Sequence, residues 1–279
     1  RQALDAGIDF FDTANVYSDG SSEEMLGRVL WRWVKRDEIV LATKVFGDED
    51  PNWRGLSRRI IMRQIDNSLK RLQTDYVDLY QIHRWDPVTP IEETMEALND
   101  VVRAGKARYI GASSMYAWQF SKAQQVAKEN GWARFISMQN QVNLIYREEE
   151  REMIPLCLDQ GVGLIPWSPI ARGKLARPVG ISTARAETDN VLENMYSKTI
   201  DADNAVISNV EEIANEIGRP MVQVALAWIR QKKGVAAPII GYTRTEQFEQ
   251  MLGGLDLVLD QEMIDRLEAP YVPHVPVGF

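Results

Sequence analysis

The chain has 279 residues, 45% of them hydrophobic and 26% charged, with a formal net charge of -8 and a single cysteine. Such a composition is that of a globular protein, and the acidic balance argues against nucleic acid or an anionic membrane as the main partner. The lone Cys157 excludes an internal disulfide and a Cys-rich metal site.

Residues 1–7 read as the tail of a helix closed by Gly7, so a preceding segment is expected upstream of Arg1. Strand-like runs follow at 8–14, 39–46, 77–83, 108–113, 135–142, 162–167 and 236–241. Most are continuous apolar runs, as expected for strands covered on both faces. Helical patterns fill the gaps. Ser21 and Glu24 have the spacing of a capping box, and Ser57 precedes a helix with Ile61, Ile65, Leu69 and Leu72 on one face. Met95, Leu98 and Val102 repeat that stripe, then Phe120, Ala123 and Ala127, with Gly105 and Gly131 placed to end these helices. Cys157 lies in a further helical pattern, which predicts a buried and inert thiol. The gap between 167 and 236 is too long for one crossover. Residues 170–178 read as a loop, 187–198 as an extra helix, and 210–217 as another, before Pro220 opens an apolar helix over 221–229. No run approaches the ~18 apolar residues needed to cross a bilayer, and no signal peptide is visible; a cytoplasmic location follows by default.

Strand–helix alternation with short links predicts one α/β domain over 1–279, a (β/α)8 TIM barrel whose first strand lies upstream of residue 1. Within it, 170–205 forms a long loop with an extra helix over a ligand, and 256–279 a C-terminal helix and tail. No Gly-x-Gly-x-x-Gly follows a strand, which counts against a Rossmann domain.

In a parallel barrel, residues just past strand ends converge on one face. Asp12, Tyr17, Lys44 and His83 occupy such positions on three successive strands. Each alone can be purely structural, as a turn cap, a surface aromatic, a half-exposed cation or a hydrogen-bonded core histidine. Together they suit proton delivery to a carbonyl that receives a hydride. A phenol keeps its proton at pH 7, a neighbouring Lys44 would ease its release, Asp12 would hold Lys44, and His83 would orient the carbonyl oxygen. The hydride has to come from a cofactor. Phe46, Trp53, Trp85, Tyr116 and Trp118 fall in or near strand-end loops, where some would line a substrate pocket and others pack the loops.

Six segments carry a resemblance: Gly7-Ile-Asp-Phe-Phe-Asp-Thr-Ala-Asn-Val-Tyr17, Ala42-Thr-Lys-Val45, Gln81-Ile-His-Arg-Trp85, Gly111-Ala-Ser-Ser114, Ile165-Pro-Trp-Ser-Pro169 and Pro238-Ile-Ile-Gly241. The chain resembles the aldo-keto reductases, NADPH-dependent (β/α)8 enzymes, across essentially its whole length. It looks most like the bacterial YajO-like branch, through Tyr17-Ser-Asp-Gly-Ser-Ser-Glu-Glu24 and the Pro270-Tyr-Val-Pro-His274 tail. Names in that branch suggest a link to deoxyxylulose phosphate and thiamine metabolism.

The resemblance implies a catalytic tetrad of Asp12, Tyr17, Lys44 and His83, with Tyr17, Phe46, His83 and Trp85 also toward a small aldehyde or ketone substrate. It implies NADP(H) as cofactor. Ser113, Ser114 and Gln139 would hold its carboxamide, Trp167 would stack on its nicotinamide, and Ser168, Pro169, Ile170, Arg172, Gly173 and Lys174 would fold over its pyrophosphate. Gly241, Thr243, Arg244 and Gln247 would meet the adenosine end, where Arg244 offers a bidentate fork for a 2′-phosphate. Gln250 and Met251 depart from the usual Glu-Asn pair that contacts adenine. Two rival functions stay open: a cofactor-binding sensor of the potassium-channel β-subunit kind, and a Schiff-base enzyme using Lys44 as nucleophile. His274, in a Pro-rich tail, is expected to be structural or solvent-exposed.

Overall fold

The computed structural model describes residues 1–47, 50–181, 196 and 199–276. They fall into two compact units, Arg1–Gln139 and Asn140–Gly278.

The first unit holds five strands: β1 (Phe10–Asp12), β2 (Val40–Val45), β3 (Val77–Ile82), β4 (Ala107–Ser113) and β5 (Phe135–Gln139). They pair in parallel in sequence order. The register sets Asp12 beside Ala42, Lys44 beside Gln81, Gln81 beside Gly111 and Ser113 beside Gln139. Five polar side chains, Asp12, Lys44, Gln81, Ser113 and Gln139, thereby gather at the C-terminal ends of strands that are otherwise apolar. Gly111 is required there: a Cβ on it would run into the Ser137 hydroxyl and crowd Gln81. Among the described residues six strands form rather than seven.

Helices α1 (Gln2–Asp5), α2 (Ser21–Val29), α3 (Arg58–Leu72), α4 (Ile91–Arg103) and α5 (Ala117–Asn130) alternate with the strands. Their apolar stripes face inward as the periodicity demands. Ile61, Ile65, Leu69 and Leu72 are buried, as are Met95, Leu98, Phe120, Ala123 and Ala127. Each buried aliphatic contributes about 1.5–3 kcal/mol relative to exposure. Val102 stays half-buried while Val101 is fully enclosed, so the α4 stripe is rotated by one residue from the expected one.

Both expected caps fail. Gly20, with φ 85°, is the residue before α2, and Ser21 makes no capping bond. The acid that matters is Glu23, fully buried and accepting from Thr43 Oγ1 at 2.5 Å and Arg71 Nε at 2.7 Å. Ser57 does precede α3, but its side chain caps nothing. The first free N–H, that of Arg58, donates instead to Glu93 Oε1 at 2.9 Å, a partner too distant in sequence for a local motif to reveal.

The second unit holds β6 (Gly163–Leu164), α6 (Met153–Gln160), α7 (Ile200–Glu216), α8 (Met221–Gln231), α9 (Thr245–Leu252) and α10 (Gln261–Glu268). The run 236–241 is extended without forming a strand. Val235 bridges Leu164 in parallel, and the N–H groups of Ala236 and Ile239 reach Leu164 O and Pro166 O, each at 2.8 Å. Pro166 and Pro238 bring no N–H, which breaks the ladder on both sides. The helix expected at 210–217 is the end of the longer α7, whose first turn carries Asp201 and Asp203. The helix expected at 187–198 lies, apart from Tyr196, outside the described residues. Cys157 is buried, and burial followed by the nearby Glu149 charge pushes its thiol up to about 12.

Among the described residues, no helix is long and apolar enough to cross a membrane.

Candidate active site

Asp12 closes β1, Lys44 sits one residue from the end of β2, and His83 follows β3. Tyr17 lies in the loop after β1, where Ser18 (φ 47°), Asp19 (φ 54°) and Gly20 (φ 85°) adopt the left-handed conformation in succession. Non-glycine residues there are uncommon and tend to mark sites where the backbone is held for a purpose. Here the turn carries the chain from the strand end straight into α2, with the phenol at its start.

The four expected side chains meet. Lys44 is fully buried, and its ammonium donates to Asp12 Oδ2, to Thr13 O at 2.8 Å and to the Tyr17 hydroxyl at 3.3 Å. All three of its protons are therefore directed. The Asp12 carboxylate is itself held: Gln81 Nε2 and Gln139 Nε2 both donate to Oδ1 at 3.0 Å. Gln139 Nε2 also reaches Gln81 Oε1 at 3.2 Å, and Ser113 Oγ donates to Gln139 O at 2.8 Å. The tetrad thus rests on a polar network running from β1 to β5. Tyr17 differs from its partners in being 40% exposed, so its hydroxyl joins a buried cation to an open surface.

His83 is half-buried, its ring edge-on to the Tyr17 ring at 5.6 Å. Burial first, then the positive charges of Lys44 and Arg84, lower its pKa to about 3. At neutral pH it is an uncharged imidazole that can donate one hydrogen bond without bringing a proton of its own to the chemistry. Asn15 Nδ2 ties the first loop to Gly47 O at 2.9 Å.

The expected apolar lining divides. Phe46 and Trp85 are half-buried next to the tetrad strands; Trp85 packs against Trp118 with ring centroids 6.0 Å apart. Tyr116 and Trp118 are largely exposed. Trp53 is occupied by arginines, with the Arg63 guanidinium 3.3 Å and that of Arg59 4.3 Å from its ring centroid, which marks it as a packing residue.

Sequence reading missed Gln81 and Arg84. Gln81 is a polar residue in an apolar strand, two positions before His83 and so on the same face, which is the signal that could have found it. Arg84 adjoins His83 in the same run.

Ser113, Ser114 and Gln139 lie buried at the ends of β4 and β5, with Ser114 left-handed at φ 34°. In the second unit, Trp167 is half-buried, its N–H bound to Asn140 O at 2.9 Å. The loop after it is strained. Ser168 (φ 52°), Ala171 (φ 47°), Arg172 (φ 53°) and Gly173 (φ 98°) are all left-handed, flanking Pro169 and Ile170. The turn is closed on itself, the N–H groups of Ala171 and Gly173 donating to Ser168 O at 2.9 Å and Ile170 O at 2.8 Å. Asn143 Nδ2 secures the turn by donating to Ser168 O at 3.0 Å, and Arg172 is exposed with Lys174 half-buried. Further on, Gly241, Thr243 and Arg244 are exposed, and Gln247 Oε1 accepts from the N–H groups of Thr243 (3.1 Å) and Arg244 (3.2 Å) at the start of α9. Met251 packs inward, whereas Gln250 is exposed and only its main-chain carbonyl is taken, by Gln223 Nε2 at 2.8 Å.

His274 is not exposed. It is buried, stacked on Tyr271 at 5.4 Å and paired through Nε2 with Asp203 Oδ1 at 2.9 Å.

Residues 1–271 match the aldo/keto reductase family. The chain belongs to that family. It is 47% identical to the versiconal hemiacetal acetate reductase of Aspergillus parasiticus, with 98% of this chain and 85% of that protein covered. It is 42% identical to an aldo-keto reductase of Alternaria alternata over 100% of this chain and 82% of the other, and 42% identical to one of Fusarium vanettenii over 98% and 80%. As an aldo-keto reductase it is an oxidoreductase of carbonyl compounds that works with a nicotinamide cofactor. These relatives are fungal, whereas the sequence resemblance pointed to the bacterial YajO-like branch; they support the family and not that branch.

Proposed function

We propose that this aldo-keto reductase reduces small aldehydes or ketones with NADPH, on a single (β/α)8 domain, with Tyr17 as general acid. The observation that carries the reading is the Lys44 ammonium set between the buried Asp12 carboxylate and the Tyr17 hydroxyl at 3.3 Å. Bound NADPH supplies the hydride. As the carbonyl oxygen gains electron density, the Tyr17 hydroxyl gives it a proton, and Lys44 stabilises the phenolate left behind. Asp12, fixed by Gln81 and Gln139, keeps Lys44 oriented and offsets its charge. Neutral His83 donates to the carbonyl oxygen and fixes its approach. Because all three Lys44 protons are engaged, the amine is poorly placed as a Schiff-base nucleophile. A half-exposed acid beside a buried cation also serves turnover better than the sensing role.

Each unit, taken by itself, carries polar groups of the kind a nicotinamide cofactor needs. Ser113, Ser114 and Gln139 are buried polar groups at strand ends, and with the Ser113 and Gln139 donors engaged in the tetrad network it is their oxygens that would accept from a carboxamide. Residues 168–174 provide a left-handed turn with Arg172 and Lys174, and Arg244 provides an exposed guanidinium at a helix start. That guanidinium favours NADP over NAD. The cytoplasm, with its supply of that cofactor, is the compartment this reading suits. The narrower link to deoxyxylulose phosphate or thiamine metabolism would need its own substrate test.

The test is NADPH oxidation with a panel of aldehydes and ketones. Wild-type protein should turn over, and Tyr17→Phe should lose about 10²-fold or more in kcat while NADPH binding, followed by its fluorescence, persists. Undiminished turnover in Tyr17→Phe would remove the phenol from its role.

A further inference from the structure

Among the described residues Arg84 is an unbalanced charge beside the tetrad. It follows His83 directly, is half-buried, and donates through Nη1 to the His83 carbonyl at 2.6 Å. Among the described residues no carboxylate pairs with it. Among the described residues, Asp12 and Asp86 are engaged elsewhere. Asp12 serves Lys44, Gln81 and Gln139. Asp86, two residues on, accepts from the N–H groups of Leu56 and Val88 and from Thr89 Oγ1, all within 2.9 Å.

A partly desolvated guanidinium without an anion costs free energy that a folded protein usually avoids. Burial indeed lowers the Arg84 pKa, and its charge in turn helps to lower that of His83. The Tyr17 phenol acts on the same charge electrostatically. Such a group therefore lies close to where a carbonyl would be reduced, next to the half-buried Trp85, with N–H donors to spare.

We infer that Arg84 is a specificity-determining residue that selects carbonyl substrates bearing an anionic group, a carboxylate above all, on an apolar or aromatic body. The carboxylate takes the fork left by the single backbone bond, and Trp85 covers the apolar part. The inference rests on the carbonyl-reductase reading for its substrate but not for its binding event.

The experiment has two arms. In the first, the full chain is titrated with benzoate and with benzamide, followed by tryptophan fluorescence. Wild type should prefer benzoate by about 10- to 100-fold; Arg84→Met should bring the two ligands close to parity, and Arg84→Lys should recover part of the preference. In the second, kcat/KM with NADPH is compared for 4-carboxybenzaldehyde and methyl 4-formylbenzoate, and the ratio should fall by a similar factor in Arg84→Met. Equal affinities in wild type, a preference that survives in Arg84→Met, or equal losses on both aldehydes would overturn the inference. Failure of wild type to reduce either aldehyde would instead count against the proposed reaction, leaving the first arm to decide the role of Arg84.

Discussion

Two buried ion pairs invite comparison, Lys44–Asp12 in the first unit and His274–Asp203 in the second. Both are nearly sealed, with side-chain exposures of 0% and 7% in the first and 5% and 1% in the second. Both are reinforced: Asp12 by two glutamines, Asp203 by Thr199 Oγ1 at 3.0 Å. What separates them is the neighbouring phenol. Lys44 hands its charge to Tyr17, which is open to solvent, whereas His274 stacks on Tyr271, whose hydroxyl is spent on Glu148 at 2.6 Å. A buried charge pair by itself indicates only tight construction. Coupled to an accessible, reactive oxygen, it indicates chemistry.

Substitutions should pull the two pairs apart. Lys44→Met should cost about 10³-fold or more in kcat, since it removes the charge facing the developing phenolate, with NADPH affinity largely kept; turnover like wild type would refute the assignment. His274→Ala, which strands Asp203 in a dry site, should lower unfolding free energy by about 3 kcal/mol in denaturant titration, with a far smaller change in kcat than Lys44→Met produces. A reversal of those two outcomes would mean the pairs have been told apart wrongly. Gly111→Ala should come next, at about 1–3 kcal/mol from overpacking against Ser137, together with lower turnover because Gln81 is displaced.

The pairs also separate in pH dependence, where the two histidines have opposite signs. His83 is held neutral, so the unfolded chain binds its proton more readily; stability from this residue is present above its ordinary value near 6.5 and drains away as pH falls toward about 3. For His274, burial opposes the charge, but the Asp203 bond and the Val272 carbonyl outweigh it and raise its pKa. Its contribution is complete below 6.5 and is lost as pH rises through the folded value. Urea midpoints measured from pH 4 to 9 should separate on the acid side with opposite signs, His83→Gln gaining on wild type as pH falls and His274→Gln losing to it.

The strands were readable because short apolar runs bounded by turns alternate with helical patterns, and six of the seven appear within a few residues of where they were expected. The run at 236–241 was misjudged because two prolines interrupt a ladder that hydropathy alone suggests. Helix caps were misjudged for a different reason: the Arg58 N–H is satisfied by Glu93 and the buried acid of α2 is Glu23, pairings set by packing between elements. Asp12, Tyr17, Lys44 and His83 could be named from strand-end position and chemical type. The support beneath them could not, since the convergence of Gln81 and Gln139 on one carboxylate oxygen depends on the parallel register across five strands. Arg84 is not legible because its interest lies in having no carboxylate partner among the described residues, which a sequence does not display.

The three left-handed residues after Tyr17 have a consequence for anyone altering this protein. They make the reach of the phenol a property of main-chain geometry rather than of side-chain packing, so its height above the ammonium can be tuned without touching either group. Asparagine or glycine at Ser18 would preserve that height. A β-branched residue would tip the ring away, yielding an enzyme with every reactive group intact and its stroke mis-set.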